Sequence, residues 1–376
     1  MQSRYEQALE ALNRRGRLRG LEGRAGLDFT SNDYLGLAES PALRDAAMEA
    51  LARGVPVGAG GSRLLRGNHP EHEALEAEAA RFFCAESALF FGSGFAANAA
   101  LISTLPQRGD LIVHDALIHA SAREGLAGTR AEHREVAHND VTQIEDVIRH
   151  WRADHASERC FIAVESLYSM DGDVAPLDAL ATIADRYDTV LLIDEAHATG
   201  VCGPQGRGLA ARLEGRANVV SLHTCGKALG ASGALLLMPD VLRRFMINRC
   251  RPFIYATAPS PLIAATVRAA LRICEGADAS RAALAERIAH LGGHLARLGL
   301  PSSGSQIQPV ILGADRKAVA VAAALAADGF DVRAIRPPTV PEGTSRLRIT
   351  LGTRRTLAEV DALAESLGRH LEGLAA

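Results

Sequence analysis

The 376-residue sequence predicts an α/β fold, with a mainly parallel sheet flanked by helices and a smaller C-terminal α+β domain. The first observation is that short apolar runs alternate with helix-length segments from residue 71 to residue 238, which is typical of strands joined by helical crossovers. The second is that this alternation ends in a long helical region, after which three strand-like and two helix-like segments form a separate group.

The N-terminal region precedes this alternation. Residues 4–24 are predicted to form a short helix with an arginine-rich tail, and 27–36 a loop. Apolar residues at helical spacing indicate a helix over 41–53. The loop over 54–67 is dense in glycine, and we expect it to line a site because its backbone is too flexible for a packed element.

The central region supplies the predicted sheet. Apolar runs bounded by turn residues predict strands at 87–91, 111–114, 160–165, 190–194, 219–222 and 233–238. Helical segments between or beside them are predicted at 71–84, 96–104, 119–126, 141–150 and 177–187. Alternation of this kind favours a parallel sheet with helices on both faces.

The C-terminal region begins with an alanine- and arginine-rich helical stretch over 264–298. Strands at 307–312, 332–335 and 346–351, a helix ending at 327 and a last helix from 357 follow it. The sequence therefore predicts three parts: an N-terminal helix and arm (1–40), a large α/β domain (41–268) and a small α+β domain (269–376).

Composition limits the classes of protein that the chain could be. The formal net charge of -3 predicts neither a nucleic-acid partner nor binding to an anionic membrane. No apolar run is long enough for a signal peptide or a membrane span. The six cysteines have no Cys-x-x-Cys spacing, so we expect reduced thiols in a cytoplasmic enzyme, with no disulfide frame and no metal site.

The most informative residue is Lys227, which lies on a loop of small residues after the 219–222 strand. The 190–194 strand upstream ends at Asp194 and is followed by His197. A lysine, a carboxylate and an imidazole at strand ends are the groups that hold pyridoxal 5'-phosphate (PLP). The lysine attaches the cofactor covalently, and the carboxylate keeps the pyridine nitrogen protonated. A solvated surface lysine is the alternative interpretation.

A glycine turn follows the 87–91 strand, with Gly92 and Gly94 at the start of a helix. Backbone N–H groups at such a helix N-terminus bind anions such as phosphate. The same residues fit a dinucleotide fingerprint, with Asp115 about twenty residues on as the ribose ligand. NAD binding and a merely structural turn therefore stay open at this point. A P-loop at Lys227 is excluded because Ser221 replaces its first glycine.

Further polar residues follow other predicted strands. His119 begins a helix after the 111–114 strand, where an imidazole can stack on a flat ligand. Ser169 lies on the loop after the 160–165 strand. Arg348 lies on a predicted C-terminal strand, in which successive side chains point to opposite faces. Its guanidinium therefore points to one face, where it could clamp a carboxylate. A solvent-facing histidine and a surface charge are the alternatives for His119 and Arg348. Four predicted strands are followed by Gly94, by Ser169, by Asp194 with His197, and by Lys227. We expect these four strand ends to converge on one crevice.

Together these motifs resemble the α-oxoamine synthases, PLP enzymes of the aspartate-aminotransferase fold (fold type I). The resemblance covers nearly the whole chain. The segments that match family signatures are 30–36, 58–63, 93–98, 169–173, 206–208 and 346–348. Residues 334–341 are similar to the branch that condenses L-alanine with a pimeloyl thioester, carried by CoA or acyl carrier protein, in biotin synthesis.

The resemblance implies roles for the residues of the site. Lys227 would hold the cofactor and move the α-proton, while Asp194 would pair with the pyridine nitrogen. His197 would lie near the ring hydroxyl, and His119 would stack on the ring and touch the substrate. The other implied cofactor ligands are Gly94, Phe95, Ser169, Thr224 and, donated across a homodimer, Thr257.

For the substrates, the resemblance implies that Arg348 clamps the amino-acid carboxylate and that Thr339 meets the acyl donor with an N-terminal arginine. Arg15, Arg17 and Arg19 compete for that last role, and Arg19 is favoured narrowly. Glycine C-acetyltransferase and 5-aminolevulinate synthase remain rivals within the family. An NAD-dependent oxidoreductase and a non-enzymatic binding module are rivals from other classes.

Overall fold

A computed structural model describes residues 2–21, 23 and 25–373 of the chain. The strands are β1 (Leu27–Asp28), β2 (Ser87–Phe91), β3 (Leu111–Asp115), β4 (Glu132–Val136), β5 (Cys160–Glu165), β6 (Thr189–Asp194), β7 (Val219–Thr224), β8 (Ala234–Met238), β9 (Ile307–Gly313), β10 (Phe330–Asp331), β11 (Arg333–Ile335) and β12 (Ser345–Thr350). The helices are α1 (Gln2–Arg14), α2 (Pro41–Ala52), α3 (Pro70–Phe83), α4 (Gly94–Thr104), α5 (Ala120–Gly128), α6 (Val141–Arg152), α7 (Leu177–Arg186), α8 (Asp240–Arg249), α9 (Arg251–Ile254), α10 (Pro261–Glu275), α11 (Asp278–Arg297), α12 (Asp315–Ala327) and α13 (Leu357–Glu372).

The chain divides into two compact units. The larger contains residues 35–169 and 174–278, and the smaller contains residues 1–34, 170–173 and 279–376. The sequence places a boundary near residue 268 and treats the N-terminal arm as a separate part. In the structure the N-terminal segment groups with the C-terminal residues because β1 pairs with β10.

The larger unit is built on a seven-stranded sheet in the order β2-β8-β7-β6-β5-β3-β4. β8 runs antiparallel to both of its neighbours, while the pairs from β7 to β4 are parallel. β5 and β6 are apolar along almost their whole length and buried on both faces, as expected for inner strands of a parallel sheet. The predicted mainly parallel sheet is confirmed.

Two apolar cores cover the sheet, one on each face. Leu101 of α4 and Leu126 of α5 belong to one core, and Ile148 of α6 and Leu180 of α7 belong to the other. The buried stripes of these helices fix how they lie across the strands. The carboxyl ends of β3, β5, β6 and β7 consequently share one edge of the sheet, where ligands bind in folds of this type.

The smaller unit contains a three-stranded antiparallel sheet in the order β11-β12-β9. α12 packs against these strands and against α13. α13 begins with a reciprocal cap, in which Thr356 Oγ1 accepts from Glu359 N–H and the Glu359 carboxylate accepts from Thr356 N–H. None of the described helices combines the length and the apolar character needed to cross a bilayer.

The structure adds elements that the sequence pattern did not reveal. β4 has four exposed residues and one buried residue, and it lies at the sheet edge, so it lacks the apolar signal of an inner strand. α8 buries only Met246 and was missed for the same reason. The predicted helical stretch over 264–298 is two helices, because α10 ends at its C-cap Gly276.

Candidate active site

Lys227 lies on the turn that follows β7, and its amine is close to an imidazole. Lys227 Nζ is 2.6 Å from His197 Nε2, and His197 is buried three residues beyond the end of β6. β6 and β7 are parallel neighbours with Asp194 opposite Leu222, so adjacent strand ends deliver the amine, the imidazole and a carboxylate. The structure therefore brings together Lys227, Asp194 and His197.

Asp194 is held in a fixed orientation at the end of β6. Its Oδ1 accepts a hydrogen bond from the backbone N–H of Ala196 at 2.9 Å. Its Oδ2 accepts one from Asn98 Nδ2 at 2.8 Å, donated from the neighbouring helix α4. Asn98 is buried, and the sequence analysis includes it only within the 93–98 signature segment, without a role. Its position restricts rotation of the carboxylate.

The same asparagine extends the network to His119. Asn98 Nδ2 also donates to Ser121 Oγ at 3.0 Å, and Ser121 Oγ lies 2.7 Å from His119 Nδ1. Because the backbone N–H of Ser121 donates to His119 Nδ1 at 3.2 Å, this nitrogen acts as an acceptor. The imidazole is then neutral, with its proton on Nε2. His119 caps α5 and lies outside the helix that the sequence predicts to begin with it.

The electrostatics of His119 agree with a neutral ring. Burial lowers the pKa of His119, with Asp194 acting to raise it and Lys227 to lower it. His119 is nevertheless exposed to solvent. A neutral imidazole with an accessible face suits stacking on a flat ligand.

The N-terminus of α4 forms a candidate phosphate cradle. Ser93 caps the helix by accepting from Ala96 N–H at 3.2 Å, which leaves the N–H groups of Gly94 and Phe95 at the positive end of the helix dipole. A Cβ on Gly94 would lie 3.1 Å from Thr224 Oγ1, so glycine allows this close approach of α4 to the end of β7. Gly94 and Thr224, both predicted cofactor ligands, are thus neighbours in the structure.

A second carboxyl group ends β5. Glu165 is opposite Asp194 in the sheet and is buried, with Oε2 accepting from the backbone N–H of Ser169 at 3.1 Å. Burial, and then the nearby Asp194 carboxylate, raise the pKa of Glu165 well above its ordinary value, which favours the uncharged carboxyl group. Glu165, Asp194, Asn98 and His119 line one small pocket. Sequence reasoning had not singled out Glu165.

Asp115 does not have the role that the dinucleotide interpretation requires. The residue is buried at the end of β3, and its carboxylate accepts from the backbone N–H groups of Leu117 and Asn139, each at 2.7 Å. It also lies 2.9 Å from His138 Nδ1. Burial acts to raise the pKa of Asp115, but these hydrogen bonds outweigh it and the pKa is lowered. Asp115 therefore fastens a loop, and its carboxylate is already engaged by these partners.

Thr257 lies on an exposed segment after α9. Tyr255, two residues before it, is 71% exposed, and the segment is fastened by a hydrogen bond from Ala258 N–H to Gly61 O at 2.9 Å. His72 Nε2, in the neighbouring helix α3, is 2.7 Å from Pro259 O. These contacts hold the Thr257 segment against the glycine-dense loop that the sequence predicts to line a site.

The predicted substrate residues belong to the smaller unit. Arg348 is buried in β12, and its Nη1 donates to Asn32 Oδ1 at 3.0 Å and to Thr350 Oγ1 at 2.9 Å. Arg19 Nη2 is 3.3 Å from Thr339 Oγ1. Arg19 and Thr339 are thus neighbours, whereas Arg348 is bonded to other residues of this unit.

The residues of the larger unit fit PLP. They comprise an accessible amine at Lys227, a carboxylate oriented by Asn98 at a strand end, a neutral imidazole and a glycine-lined helix N-terminus for a phosphate. Together, fold and site define a PLP-dependent enzyme of fold type I.

Comparison with known proteins agrees with this class. The chain belongs to the aminotransferase class I and II family, whose sequence model matches residues 24–367. A relative from Herminiimonas arsenicoxydans, 8-amino-7-oxononanoate synthase, is 43% identical over 92% of this chain and 90% of its own length.

Solved structures give the same result. A high-resolution structure of SPT with a PLP internal aldimine matches with a TM-score of 0.87 and 27% identity, covering 94% of this chain and 89% of that one. An 8-amino-7-oxononanoate synthase from Francisella tularensis matches with a TM-score of 0.79 and 28% identity, covering 93% and 99%. PLP is therefore the cofactor, and these likenesses favour a PLP-dependent acyltransferase over an NAD-dependent oxidoreductase.

Proposed function

We propose that this chain is an 8-amino-7-oxononanoate synthase, which condenses L-alanine with a pimeloyl thioester in biotin biosynthesis. The α-carbon of alanine loses its proton and bonds to the acyl carbon, from which the thiolate leaves. The alanine carboxyl group then departs as carbon dioxide, and the α-carbon takes up a proton in its place. The observation that carries the proposal is the placement of Lys227 Nζ 2.6 Å from His197, with Asp194 at the end of the neighbouring strand β6. The named relatives support the same reaction.

Lys227 is the group proposed to hold the cofactor and then to take the α-proton of alanine. To act as a base it must be neutral, and His197 Nε2 is close enough to accept a hydrogen bond from a neutral amine. When bound, PLP supplies an electron sink for the pair released at the α-carbon. Asp194, fixed by Asn98, favours the protonated pyridine on which that sink depends.

Recognition of the acyl donor is proposed for the N-terminal arm of the smaller unit. A groove there has apolar walls and an arginine-bearing rim, which suits an acyl chain with an anionic end; its lining includes Leu9, Leu12, Leu18, Pro337, Pro338, Val340, Arg15, Arg17 and Arg19. Arg17 is already paired with Asp315 at 2.6 Å and with Glu342. Arg19 lies beside Thr339, which supports Arg19 as the acyl-donor arginine. Arg348 is proposed to bind the carboxylate of alanine.

A homodimer in the cytoplasm is part of the proposal. Tyr255 and Thr257 are exposed on the single chain, as expected if a second copy covers them and receives Thr257 as a phosphate ligand.

The test is turnover by the purified yellow holoenzyme, measured side by side with alanine and glycine and with pimeloyl-, acetyl- and succinyl-CoA. Alanine with pimeloyl-CoA should give the highest kcat/KM. Preference for glycine with acetyl- or succinyl-CoA would instead assign the chain to another α-oxoamine synthase. Comparison of pimeloyl-CoA with the pimeloyl carrier protein then identifies the carrier.

A further inference from the structure

Two histidines and an aspartate converge on the surface of the smaller unit. His290 and His294 are one helical turn apart on α11, so their side chains lie on the same face of that helix. Asp361 faces them from α13. None of these residues belongs to the site described above. The sequence analysis predicted no metal site from the spacing of the cysteines, and this cluster contains no cysteine.

The ligand-bearing atoms of this cluster point to a common centre. His290 Nε2 and His294 Nε2 each lie 2.6 Å from the same carboxylate oxygen, Asp361 Oδ1. The two imidazole rings are nearly perpendicular, at 75°, with centroids 5.0 Å apart. One potential ligand atom from each residue lies within 4.8 Å of the others. A single ion could therefore contact all three.

The chemistry of this donor set selects a class of ion. Two imidazoles and a carboxylate are typical ligands of Zn²⁺ and similar divalent transition metals, whereas Mg²⁺ and Ca²⁺ prefer oxygen. Ligand atoms bound tetrahedrally to Zn²⁺ at about 2.0–2.1 Å lie about 3.3 Å apart. Opening the two 2.6 Å separations between the imidazole nitrogens and Asp361 Oδ1 by less than about 1 Å would make room for the ion. The side chains are partly exposed, at 35%, 16% and 43%.

Arg297 opposes metal binding at this cluster. Its Nη2 lies 2.8 Å from His294 Nδ1, and it adds a positive charge close to the cluster. When His294 Nε2 binds a cation, the proton of the neutral ring must be on Nδ1, which can then no longer accept a hydrogen bond from Arg297. Because the arginine is at the exposed end of α11, it can turn into solvent.

We propose that His290, His294 and Asp361 form a binding site for one divalent transition-metal ion, with Zn²⁺ as the probe. The ion would join α11 to α13 and leave coordination positions for water. Because it links two helices that are separate in the unfolded chain, bound Zn²⁺ should stabilise the folded protein.

The experiment uses the full-length holoenzyme without an affinity tag, treated with a chelator and then dialysed. Zn²⁺ binding is measured by equilibrium dialysis, and thermal unfolding is measured with and without Zn²⁺. The variants are His290→Asn, His294→Asn and Asp361→Asn. The matched control is His370→Asn, because His370 also pairs with a carboxylate, Asp328 at 3.0 Å, but has no second histidine facing it in that ion pair.

The wild-type protein and His370→Asn should bind one Zn²⁺ per chain and unfold at a higher temperature when it is present. Each of the three variants should weaken binding at least about tenfold, because even outer-sphere changes cost that much in metal sites. Arg297→Gln should bind Zn²⁺ more tightly than the wild type.

Two results would overturn the site. Zn²⁺ binding that is absent or unchanged in the three variants would show that the cluster is only a hydrogen-bond network. Weaker binding by Arg297→Gln would show that the ion does not sit on His294 Nε2. The proposal is independent of the catalytic assignment, because its readouts are metal content and unfolding temperature.

Discussion

Asn98 Nδ2 donates a hydrogen bond to Asp194 Oδ2 across 2.8 Å, joining the first turns of α4 to the end of β6. The same amide reaches Ser121, and through it His119, so one buried side chain orients both the carboxylate and the imidazole of the site. A carboxylate that must keep a pyridine nitrogen protonated benefits from such support, in the way that outer hydrogen bonds orient metal ligands. Asn98 is thus a positioning residue.

Replacement of Asn98 by alanine should lower kcat by about 10- to 100-fold while the protein stays folded, because Asp194 loses the donor that orients it. Ser121→Ala removes only the branch toward His119 and should cost less. Asn248→Ala, which removes an exposed amide bonded to a helix carbonyl, is the control. The measurements are kcat, KM and PLP affinity. Equal activity of the Asn98 and Asn248 variants would contradict the positioning role.

Removal of the Lys227 amine should abolish the covalent attachment of PLP and with it turnover. We expect Lys227→Ala to lose the visible absorbance of the bound cofactor and to retain its circular dichroism, because the residue lies on a turn beyond β7. Asp194→Asn, in contrast, should keep the cofactor and lose turnover. A Lys227→Ala protein that still carried a borohydride-reducible bond to PLP would refute the assignment.

The contrast between Lys227 and Asn98 shows how far the sequence could predict this site. Lys227, Asp194 and His197 follow apolar strands that local patterns identify, and β2 and β5 were predicted with their observed bounds. Asn98 contributes to the site only because its amide reaches Asp194, almost a hundred residues later in the chain, and no local sequence pattern records that contact. Edge strand β4 was missed because its burial, which is slight, depends on the position of the strand in the sheet.

Glu165 should tolerate a neutral isostere. Burial raises its pKa, which favours the uncharged carboxyl group, and glutamine keeps the size and an acceptor for Ser169 N–H. Glu165→Gln should therefore unfold at nearly the wild-type temperature. Glu165→Ala leaves a cavity and a buried N–H without its acceptor, which costs about 1–3 kcal/mol for the lost partner alone. Thermal unfolding of both variants checks this, and equal losses would show that the carboxyl group is needed as an anion.

Complementation tests whether Thr257 serves the site of a second copy. Thr257→Ala and Lys227→Ala should each be weakly active or inactive alone. If Thr257 acts across the dimer, subunits of the two variants mixed after reversible dissociation form one site with both defects and one intact site. Activity should then rise above that of either parent. No rise, in a mixture shown to contain mixed dimers, would indicate that Thr257 acts within its own chain.

His72 should make the fold sensitive to acid. Its Nδ1 accepts from His69 N–H at 3.1 Å, and its Nε2 is 2.7 Å from Pro259 O, so the ring is neutral with its proton on Nε2. Burial lowers the pKa of His72 below its ordinary value of 6.5, the carbonyl of Pro259 opposing and Arg63 reinforcing this. Glu76 and His69 also face the ring and act in opposite directions.

A base whose pKa is lowered by folding contributes stability that is present above pH 6.5 and is lost as the pH falls through the folded-state pKa. Glutamine can accept from His69 N–H and donate to Pro259 O without titrating. The unfolding free energy of His72→Gln should therefore fall less than that of the wild type between about pH 7 and about pH 5. Denaturant unfolding at fixed protein concentration measures both slopes, with His370→Gln, whose side chain is only partly buried, as the control. Identical slopes in wild type and His72→Gln would mean that other groups, such as buried His114, account for the acid sensitivity.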